Sequence, residues 1–495
     1  MECEVVVVGG GIGGLTVAAL LAQRGVDVCV LEREPRVGGC AANFEKFGYS
    51  FEPGYGLFTG WKPDEIHDRV FSELPVDPPE VRRWEPGYVV RLPDQSEIAL
   101  LADQEQFEDN LRRSFPECAA EAVAFYRKLE SIGAAFRRAL QSEPEFRSTS
   151  KTRRAYKLLA EGWVAAEIVR SQQNSTLENL DQVSPRFRRF VDVQLQTLAQ
   201  ASSAEVPYLQ AALALSGPRA GMFAIRGGAA ELANRLADSV KRSGGRIRLD
   251  TPVLRLSYNS TGAAVGVDLL SGETVTAAKA IVSNLTVWDT YGKLVGLNRT
   301  PTEIRKQLNW LRGWGAYLLY LGLDEAAANS LTADHIIALT DWQTAESYDP
   351  ESNQLTFAAA PNWDARAPAG KRAVTIHAFT NVDEWFTFHR DETDLDDKDQ
   401  QMLERCWQRL HAAMPELGSS IEVIETATPR SFYDLTRRKL GMVGGVVPSS
   451  QGFWLEEPSY RTALANLFIV SDTRSIGGIE GLTRSAVALA NKLTR

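Results

Sequence analysis

The chain has 495 residues, about three times the length of a typical domain, so we expect two or three domains. Hydrophobic residues make up 44% and charged residues 24%, which argues against a mainly disordered chain. The net charge of −9 gives no electrostatic indication of nucleic-acid binding, and five scattered cysteines argue against a disulfide framework.

We expect the uncharged stretch from Val5 to Gln23 to be neither a membrane span nor a signal peptide, because it contains five glycines and follows the acidic residues Glu2 and Glu4. No other stretch of about 18 residues lacks charge. We therefore expect a cytoplasmic protein, soluble or peripheral at the inner face of the membrane.

Val5 to Val8 predict a buried parallel strand that runs into the pattern G-x-G-x-x-G. The first glycine permits a tight turn, the second lets a pyrophosphate approach the backbone, and the third lets the next helix pack closely. Leu15 to Arg24 predict that helix, whose free N–H groups favour a pyrophosphate. The glycine-rich turn comprises Gly9, Gly11, Ile12, Gly13 and Gly14.

A second predicted strand, Val26 to Leu31, ends at Glu32. A carboxylate at this position accepts hydrogen bonds from the adenosine ribose and repels a 2′-phosphate, which disfavours NADP. Strand, glycines, helix, strand and acid in this order predict a dinucleotide site in an α/β fold.

Two features favour FAD over NAD. Arg33 is followed by a second glycine pair, Gly38-Gly39, and then by an aromatic, turn-rich segment from Phe44 to Gly56 that is typical of the lining of a buried ring system. The chain has no second G-x-G-x-x-G after a strand, so a separate pyridine-nucleotide domain is not expected.

These residues, with others spread to the C-terminus, resemble the carotenoid desaturase, carotenoid isomerase and retinol saturase family of FAD proteins. The resemblance implies an FAD-dependent oxidoreductase, or a redox-flavin isomerase, that acts on CH–CH or C=C bonds of a carotenoid, retinoid or other isoprenoid lipid. The motifs that carry it are Arg226-Gly227-Gly228, Thr251-Pro252-Val253, Ala280 to Asn284, Ala360 to Lys371, Leu467 to Asp472 and Gly477 to Leu482.

The resemblance also implies which residues bind FAD without a covalent bond. Asp472 would lie near the ribityl and pyrophosphate, and a helix over Thr483 to Lys492, beginning near Gly481, would direct N–H groups at the flavin C2 carbonyl. Ser471 and Cys40 stand where the family usually has other residues. Beyond the glycine-rich turn and Glu32, the predicted contacts are Arg33, Gly38, Gly39, Cys40, Gly54, Tyr55, Val253, Asp472, Gly481 and Leu482.

The family architecture implies a discontinuous, Rossmann-type FAD domain of the glutathione-reductase and amine-oxidase kind, with a mixed-sheet substrate domain and an inserted helical cap. We expect the FAD domain at 1–75, 220–290 and 420–495, the substrate domain at 76–102 and 291–419, and the cap at 103–219. Within the substrate domain, Trp314 to Leu321 predict a buried central strand.

Part of the predicted cap, Arg147 to Arg170, has six basic residues against two acidic ones, with Trp163 among them. A basic amphipathic helix of this kind can lie in a lipid interface, and it can equally be a solvated helix face. Both interpretations remain open.

The sequence predicts no metal site, because the five histidines show no ligand spacing, and it identifies no catalytic residue. The substrate is expected to be a hydrophobic small molecule in an apolar tunnel, with quinone or oxygen as electron acceptor. Candidate tunnel residues, each of which could also be ordinary core, are Tyr55, Thr59, Trp61, Trp310 and Trp314.

Two alternative functions share these cofactor motifs. A flavin amine or amino-acid oxidase would need a polar anchor or an aromatic cage at the flavin ring. A non-catalytic FAD-fold protein that binds prenylated proteins would lack a complete flavin site.

Overall fold

The structure, a computed structural model, describes residues 1–143, 146, 150–159, 162, 164–171, 174–342, 348–386, 392–446 and 460–495. The strands are β1 (Glu2–Val8), β2 (Val28–Leu31), β3 (Phe44–Lys46), β4 (Tyr49–Phe51), β5 (Val81–Arg83), β6 (Val89–Arg91), β7 (Glu97–Ala99), β8 (Phe223–Ile225), β9 (Arg246–Arg248), β10 (Val253–Tyr258), β11 (Ala264–Leu269), β12 (Thr274–Ser283), β13 (Gly315–Asp324), β14 (His335–Leu339), β15 (Gln354–Ala359), β16 (Lys371–Thr380), β17 (Ile421–Ala427) and β18 (Leu467–Ile469).

The helices lie mainly between the strands and in one long insertion. They are α1 (Ile12–Gln23), α2 (Ile66–Glu73), α3 (Gln104–Ser114), α4 (Ala119–Ser142), α5 (Lys151–Leu159), α6 (Val164–Ser171), α7 (Pro185–Ala199), α8 (Tyr208–Ala220), α9 (Gly228–Arg242), α10 (Val287–Asp289), α11 (Thr302–Trp310), α12 (Glu325–Ala328), α13 (Pro350–Asn353), α14 (Glu392–Ala413), α15 (Pro429–Thr436) and α16 (Gly478–Leu493).

The first sheet has the strand order β10-β11-β12-β1-β2-β9, with β18 also paired to β12. Strand β1 is parallel to both β12 and β2, and its residues Val5 to Val8 are buried because helices and strands cover both faces. The carboxyl ends of β1, β2, β12 and β18 meet at one edge, where a doubly wound sheet binds its ligand. The predicted Rossmann-type α/β fold is confirmed.

The second sheet has the order β17-β13-β16-β15-β14-β6-β7 and is antiparallel except between β14 and β6. Strand β13 is buried along almost its whole length, as its apolar sequence predicts. Strand β17 pairs with β13 and so belongs to the second sheet. The expectation that the C-terminal FAD segment begins at residue 420 is therefore wrong. Strand β17 lies at the end of the strand order, where β13 is its partner.

Three predicted element boundaries also differ. Helix α1 begins at Ile12 rather than at Leu15, since the glycines of the turn already form its first residues. Strand β2 begins at Val28 rather than Val26. Helix α16 begins at Gly478, about one turn before the predicted start.

Helices α3, α4, α6, α7 and α8 pack into one aromatic-rich core that also contacts the second sheet. The basic stretch lies on α5 and α6, where Arg153 forms an ion pair with Glu143 at 2.7 Å, while Arg147 and Trp163 lie outside the described residues. None of the described helices combines the length and the hydropathy needed to cross a membrane.

Glu108 on α3 is the buried ionic centre of this helical layer. Its carboxylate accepts hydrogen bonds from Arg127 at 2.6 and 2.7 Å, from Gln104 at 2.7 Å and from Arg112 at 2.8 Å. The hydrogen bonds from Arg127, above all, lower the pKa of Glu108 from 4.5 to about 2.

We expect Glu108→Gln to reduce the free energy of unfolding by about 2 kcal/mol at pH 7, after allowance for solvent screening of the arginines. Because the folded pKa is depressed, this contribution is complete above pH 4.5 and disappears as the pH falls towards 2. Urea unfolding of both proteins between pH 7 and pH 3 measures the difference. Glu105→Gln, an exposed change on the same helix, should show no such pH-dependent gap.

Candidate functional site

A cavity of about 1020 Å³ extends from the carboxyl edge of the first sheet to β13, β16 and the helices α4, α7 and α8. Most residues predicted from the sequence to bind the cofactor or substrate border it. They are Gly9, Gly11, Ile12, Glu32, Arg33, Gly38, Gly39, Cys40, Gly54, Tyr55, Thr59, Val253, Asp472, Gly481 and Leu482.

The glycine-rich turn is packed too tightly for side chains. A Cβ atom on Gly11 would lie 2.5 Å from Asn284 Oδ1, and one on Gly14 would lie 2.5 Å from the Gly9 carbonyl oxygen. Gly13 and Gly14 do not border the cavity but let α1 approach the sheet, which is the role predicted for the third glycine. The turn therefore presents bare backbone to the cavity at Gly9 and Gly11.

Asn284 fixes the other side of this turn and was not singled out from the sequence. Its side-chain Nδ2 donates to the Val470 carbonyl at 2.6 Å, which joins the end of β12 to the residue after β18. The only indication of it in the sequence was its position at the end of an apolar strand, in the segment Ala280 to Asn284.

Glu32 lies at the end of β2, where the sequence predicted a ribose-binding carboxylate. It is 8% exposed and accepts hydrogen bonds from the backbone N–H of Gly10 at 2.6 Å and of Glu34 at 2.9 Å. These bonds hold the carboxylate at the cavity wall beside the glycine-rich turn, and each oxygen keeps a lone pair for a further donor.

Asp472 borders the cavity but is not free, because Arg438 Nη1 donates to its Oδ2 at 2.9 Å. Arg438 also donates to the carbonyl oxygens of Met442 and Gly444, both at 2.7 Å. Burial lowers the pKa of Arg438, but the charge of Asp472 and its hydrogen bond to the guanidinium help to raise that pKa above its usual value. Nothing in the sequence pattern identified Arg438 as the partner of Asp472.

The start of α16 points its first amides towards the cavity. Gly478 is the first helical residue and lines the cavity, whereas the N–H of Gly481 already donates to the Gly477 carbonyl at 3.2 Å. The expectation that the free helix amides begin near Gly481 is therefore wrong by about one turn, because the glycine pair starts the helix.

Tyr55 and His377 form an aromatic pair at the cavity, with ring centroids 4.5 Å apart. Burial lowers the pKa of His377 to about 4, so its ring is neutral at pH 7 and its Nε2–H donates to the Pro53 carbonyl at 3.1 Å. Burial also raises the pKa of the Tyr55 hydroxyl above its usual value. Both rings are uncharged.

Three tryptophans expected to line a substrate tunnel do not border the cavity. Trp61 is buried in the core with its ring stacked on His67 at 4.4 Å, and Trp314 packs behind Phe379 at 5.8 Å. Trp310 is 84% exposed at the end of α11. These predictions are wrong because aromatic character alone does not distinguish core, surface and cavity positions.

The edge of the first sheet fits a flavin dinucleotide, because bare glycine backbone, a buried carboxylate and free helix amides face one cavity. Within the described residues, no group of three or more histidine, cysteine, aspartate or glutamate side chains could hold a metal ion.

Comparison with known proteins agrees with this geometry. The sequence profile described as "Flavin containing amine oxidoreductase" matches residues 12–494. An all-trans-retinol 13,14-reductase from Danio rerio is 24% identical over 525 residues, covering 98% of this chain and 85% of that one. A chloroplastic prolycopene isomerase from Arabidopsis thaliana is 24% identical over 510 residues, covering 99% and 82%.

Among solved structures, an oxidoreductase from Methanosarcina mazei has the same fold, with a TM-score of 0.66 and 18% identity over 99% of this chain and 100% of that one. The resemblance to the carotenoid isomerase and retinol saturase group is confirmed by the named relatives. The chain belongs to the family of flavin-containing amine oxidoreductases, and its cofactor is FAD.

Proposed function

We propose that the protein catalyses a flavin-dependent change at a conjugated carbon–carbon double bond of a carotenoid, retinoid or related isoprenoid. The observation that supports this most is the continuity of the cavity, which joins the glycine-rich turn to an apolar compartment. The relatives named as acting on retinol and prolycopene support the same substrate class. The apolar walls come from Leu140, Leu198, Ala199, Leu213, Ala214, Pro218 and Met222.

The cofactor contacts are part of this proposal. Gly9, Gly11 and the first amides of α16 would hold the pyrophosphate and the flavin end, and Glu32 would bind the adenosine ribose. Asp472, oriented by Arg438, would accept hydrogen bonds from the sugar chain. The division into FAD, substrate and cap segments, with β17 moved to the second sheet, completes the proposed organisation.

When bound, FAD supplies two-electron exchange with carbon–carbon bonds. The protein's own contribution is to bind, orient and keep water away. Apolar walls stabilise a buried polyene by about 25 cal/mol per Å² of apolar surface removed from water. The neutral rings of Tyr55 and His377 add no charge to this compartment, and the Tyr55 hydroxyl keeps its proton at neutral pH.

The test uses the purified holoenzyme without oxygen, reduced with dithionite, and incubated separately with all-trans-retinol and with prolycopene. Chromatography with mass spectrometry should reveal either a product with two more hydrogens or an isomer of unchanged mass. The oxidised holoenzyme tests desaturation, where the product has two fewer hydrogens. No product from any polyene, together with peroxide formation from a primary amine, would overturn the proposal in favour of an amine oxidase.

We further propose that α5 and α6 contact an anionic membrane from the cytoplasmic side and that quinone or oxygen reoxidises the flavin. The exposed Tyr156 and Val169 and the basic Arg153 and Arg170 of these helices support the first idea. Co-sedimentation with anionic liposomes at low salt tests membrane contact, and anaerobic reoxidation by a soluble quinone tests the acceptor.

A further inference from the structure

Arg137 on α4 is a charged residue in the wall of the cavity, on the same helix as the apolar lining residue Leu140. Its Nη1 donates to the Ser216 hydroxyl on α8 at 2.7 Å, and no described carboxylate forms an ion pair with it. The side chain is half-buried between two helices. A desolvated guanidinium with no directly paired carboxylate is unfavourable, so its position suits a ligand group that pairs with it.

The carboxylates that face this part of the cavity already have partners. Glu480 accepts from Arg484 at 2.7 Å through one oxygen and from the Thr59 hydroxyl at 2.6 Å through the other. Glu65 accepts from the backbone N–H of Lys62 at 2.9 Å. Three cations, Arg137, Arg484 and Lys62, therefore border the same part of the cavity as two carboxylates, and neither carboxylate forms an ion pair with Arg137.

The surroundings of Arg137 combine this charge with apolar surface. Leu140 lies on the same helix, and Leu213, Ala214 and Pro218 of α8 border the same cavity beside Ser216. Burial lowers the pKa of Arg137, while Glu480 and Glu65 raise it, and the group stays protonated at neutral pH. A matching ligand has a long apolar body and one anionic end.

We propose that Arg137 binds the carboxylate end group of an isoprenoid substrate, so that the substrate is a polyene carboxylic acid rather than a hydrocarbon. This inference rests on the proposed function and specifies the substrate class of the same cavity. A guanidinium pairs with a carboxylate through two parallel hydrogen bonds, a geometry that a hydroxyl group cannot match. An ammonium group would be repelled.

The test compares binding of two probes of the same carbon skeleton, all-trans-retinoic acid and all-trans-retinol, to the flavin-loaded protein. Quenching of tryptophan fluorescence gives the two Kd values at low salt. We expect the wild type to prefer retinoic acid, and Arg137→Met to weaken retinoic acid binding by about 10- to 100-fold while changing retinol binding by less than about threefold. Arg137→Lys should restore part of the preference, since it keeps the charge but loses the paired geometry.

Arg138→Met is the matched control, because it removes the same charge from the next position, where the side chain is exposed. It should leave both Kd values unchanged, and flavin absorbance confirms that each variant is folded and loaded. If Arg137→Met kept the preference for retinoic acid over retinol, the proposed role of Arg137 alone would be refuted, since retinoid binding itself would persist. Failure of the wild type to bind either retinoid would refute both the proposed function and the proposed role of Arg137.

Discussion

Gly11→Val is expected to produce a folded protein that purifies with at most about a tenth of the wild-type flavin content. The Cβ atom alone would lie 2.5 Å from Asn284 Oδ1, and that side chain is held in place by its 2.6 Å hydrogen bond to the Val470 carbonyl. The two methyl groups of valine would then project over the backbone that has to meet the pyrophosphate. The ratio of flavin absorbance to protein absorbance measures the loss directly.

Gly292→Val is the control for the introduction of a branched side chain at a glycine, because no atom lies within 4 Å of a Cβ at that position. It should keep its full flavin content. The double variant Gly11→Ala with Asn284→Ala separates the two causes, since it relieves the clash with Asn284 and leaves a methyl group facing the cofactor. A normal flavin content in Gly11→Val would refute the assignment of this turn.

The part of the site that the sequence predicts well is local in the chain. Strand β1, the glycine-rich turn, α1 and Glu32 lie within the first 32 residues, and their spacing alone requires a strand, a turn, a helix and a second strand. Even there, the sequence did not predict all the contacts of Glu32. Its hydrogen bonds to the N–H groups of Gly10 and Glu34 depend on side-chain orientation, which spacing does not determine.

The residues missed by sequence analysis act across long separations. Arg438 reaches Asp472, 34 residues away, Asn284 reaches Val470, 186 residues away, and Arg137 reaches Ser216, 79 residues away. Each is a polar residue in an unremarkable local context, and only the fold brings it to its partner. The failed tryptophan predictions have a related cause, since Trp310 is exposed and Trp61 is buried, and their aromatic character alone does not show this difference.

The predicted domain boundaries were wrong in the C-terminal region, where neighbouring strands of the chain belong to different sheets. Strand β17 precedes α15 and β18 in the C-terminal region, yet it pairs with β13, while β18 pairs with β12 of the first sheet. A single domain boundary drawn along the sequence cannot show that β17 belongs to the second sheet and β18 to the first. The cavity lies where the two sheets meet, so the chain must pass between them more than once.

Gly481→Ala should cost about 3 kcal/mol of folding free energy and reduce flavin content by at least about tenfold. In the structure a Cβ on Gly481 would lie 1.7 Å from the Ile476 carbonyl oxygen, a backbone atom that cannot rotate away. The turn before α16 would have to open, and the helix amides that begin at Gly478 would move with it. Thermal unfolding and flavin absorbance measure the two effects.

Gly217→Ala provides the comparison, because Gly217 is also helical and borders the same cavity, but a Cβ there would meet only Thr59 Cγ2, at 4.0 Å. Alanine is preferred to glycine inside a helix by about 1 kcal/mol, so this variant should be as stable as the wild type or more so, with full flavin content. If both variants lost flavin equally, the effect would come from added volume in the cavity. If neither did, the turn at α16 would not hold the cofactor, and Asp472 with its Arg438 partner would remain as the C-terminal contact to test.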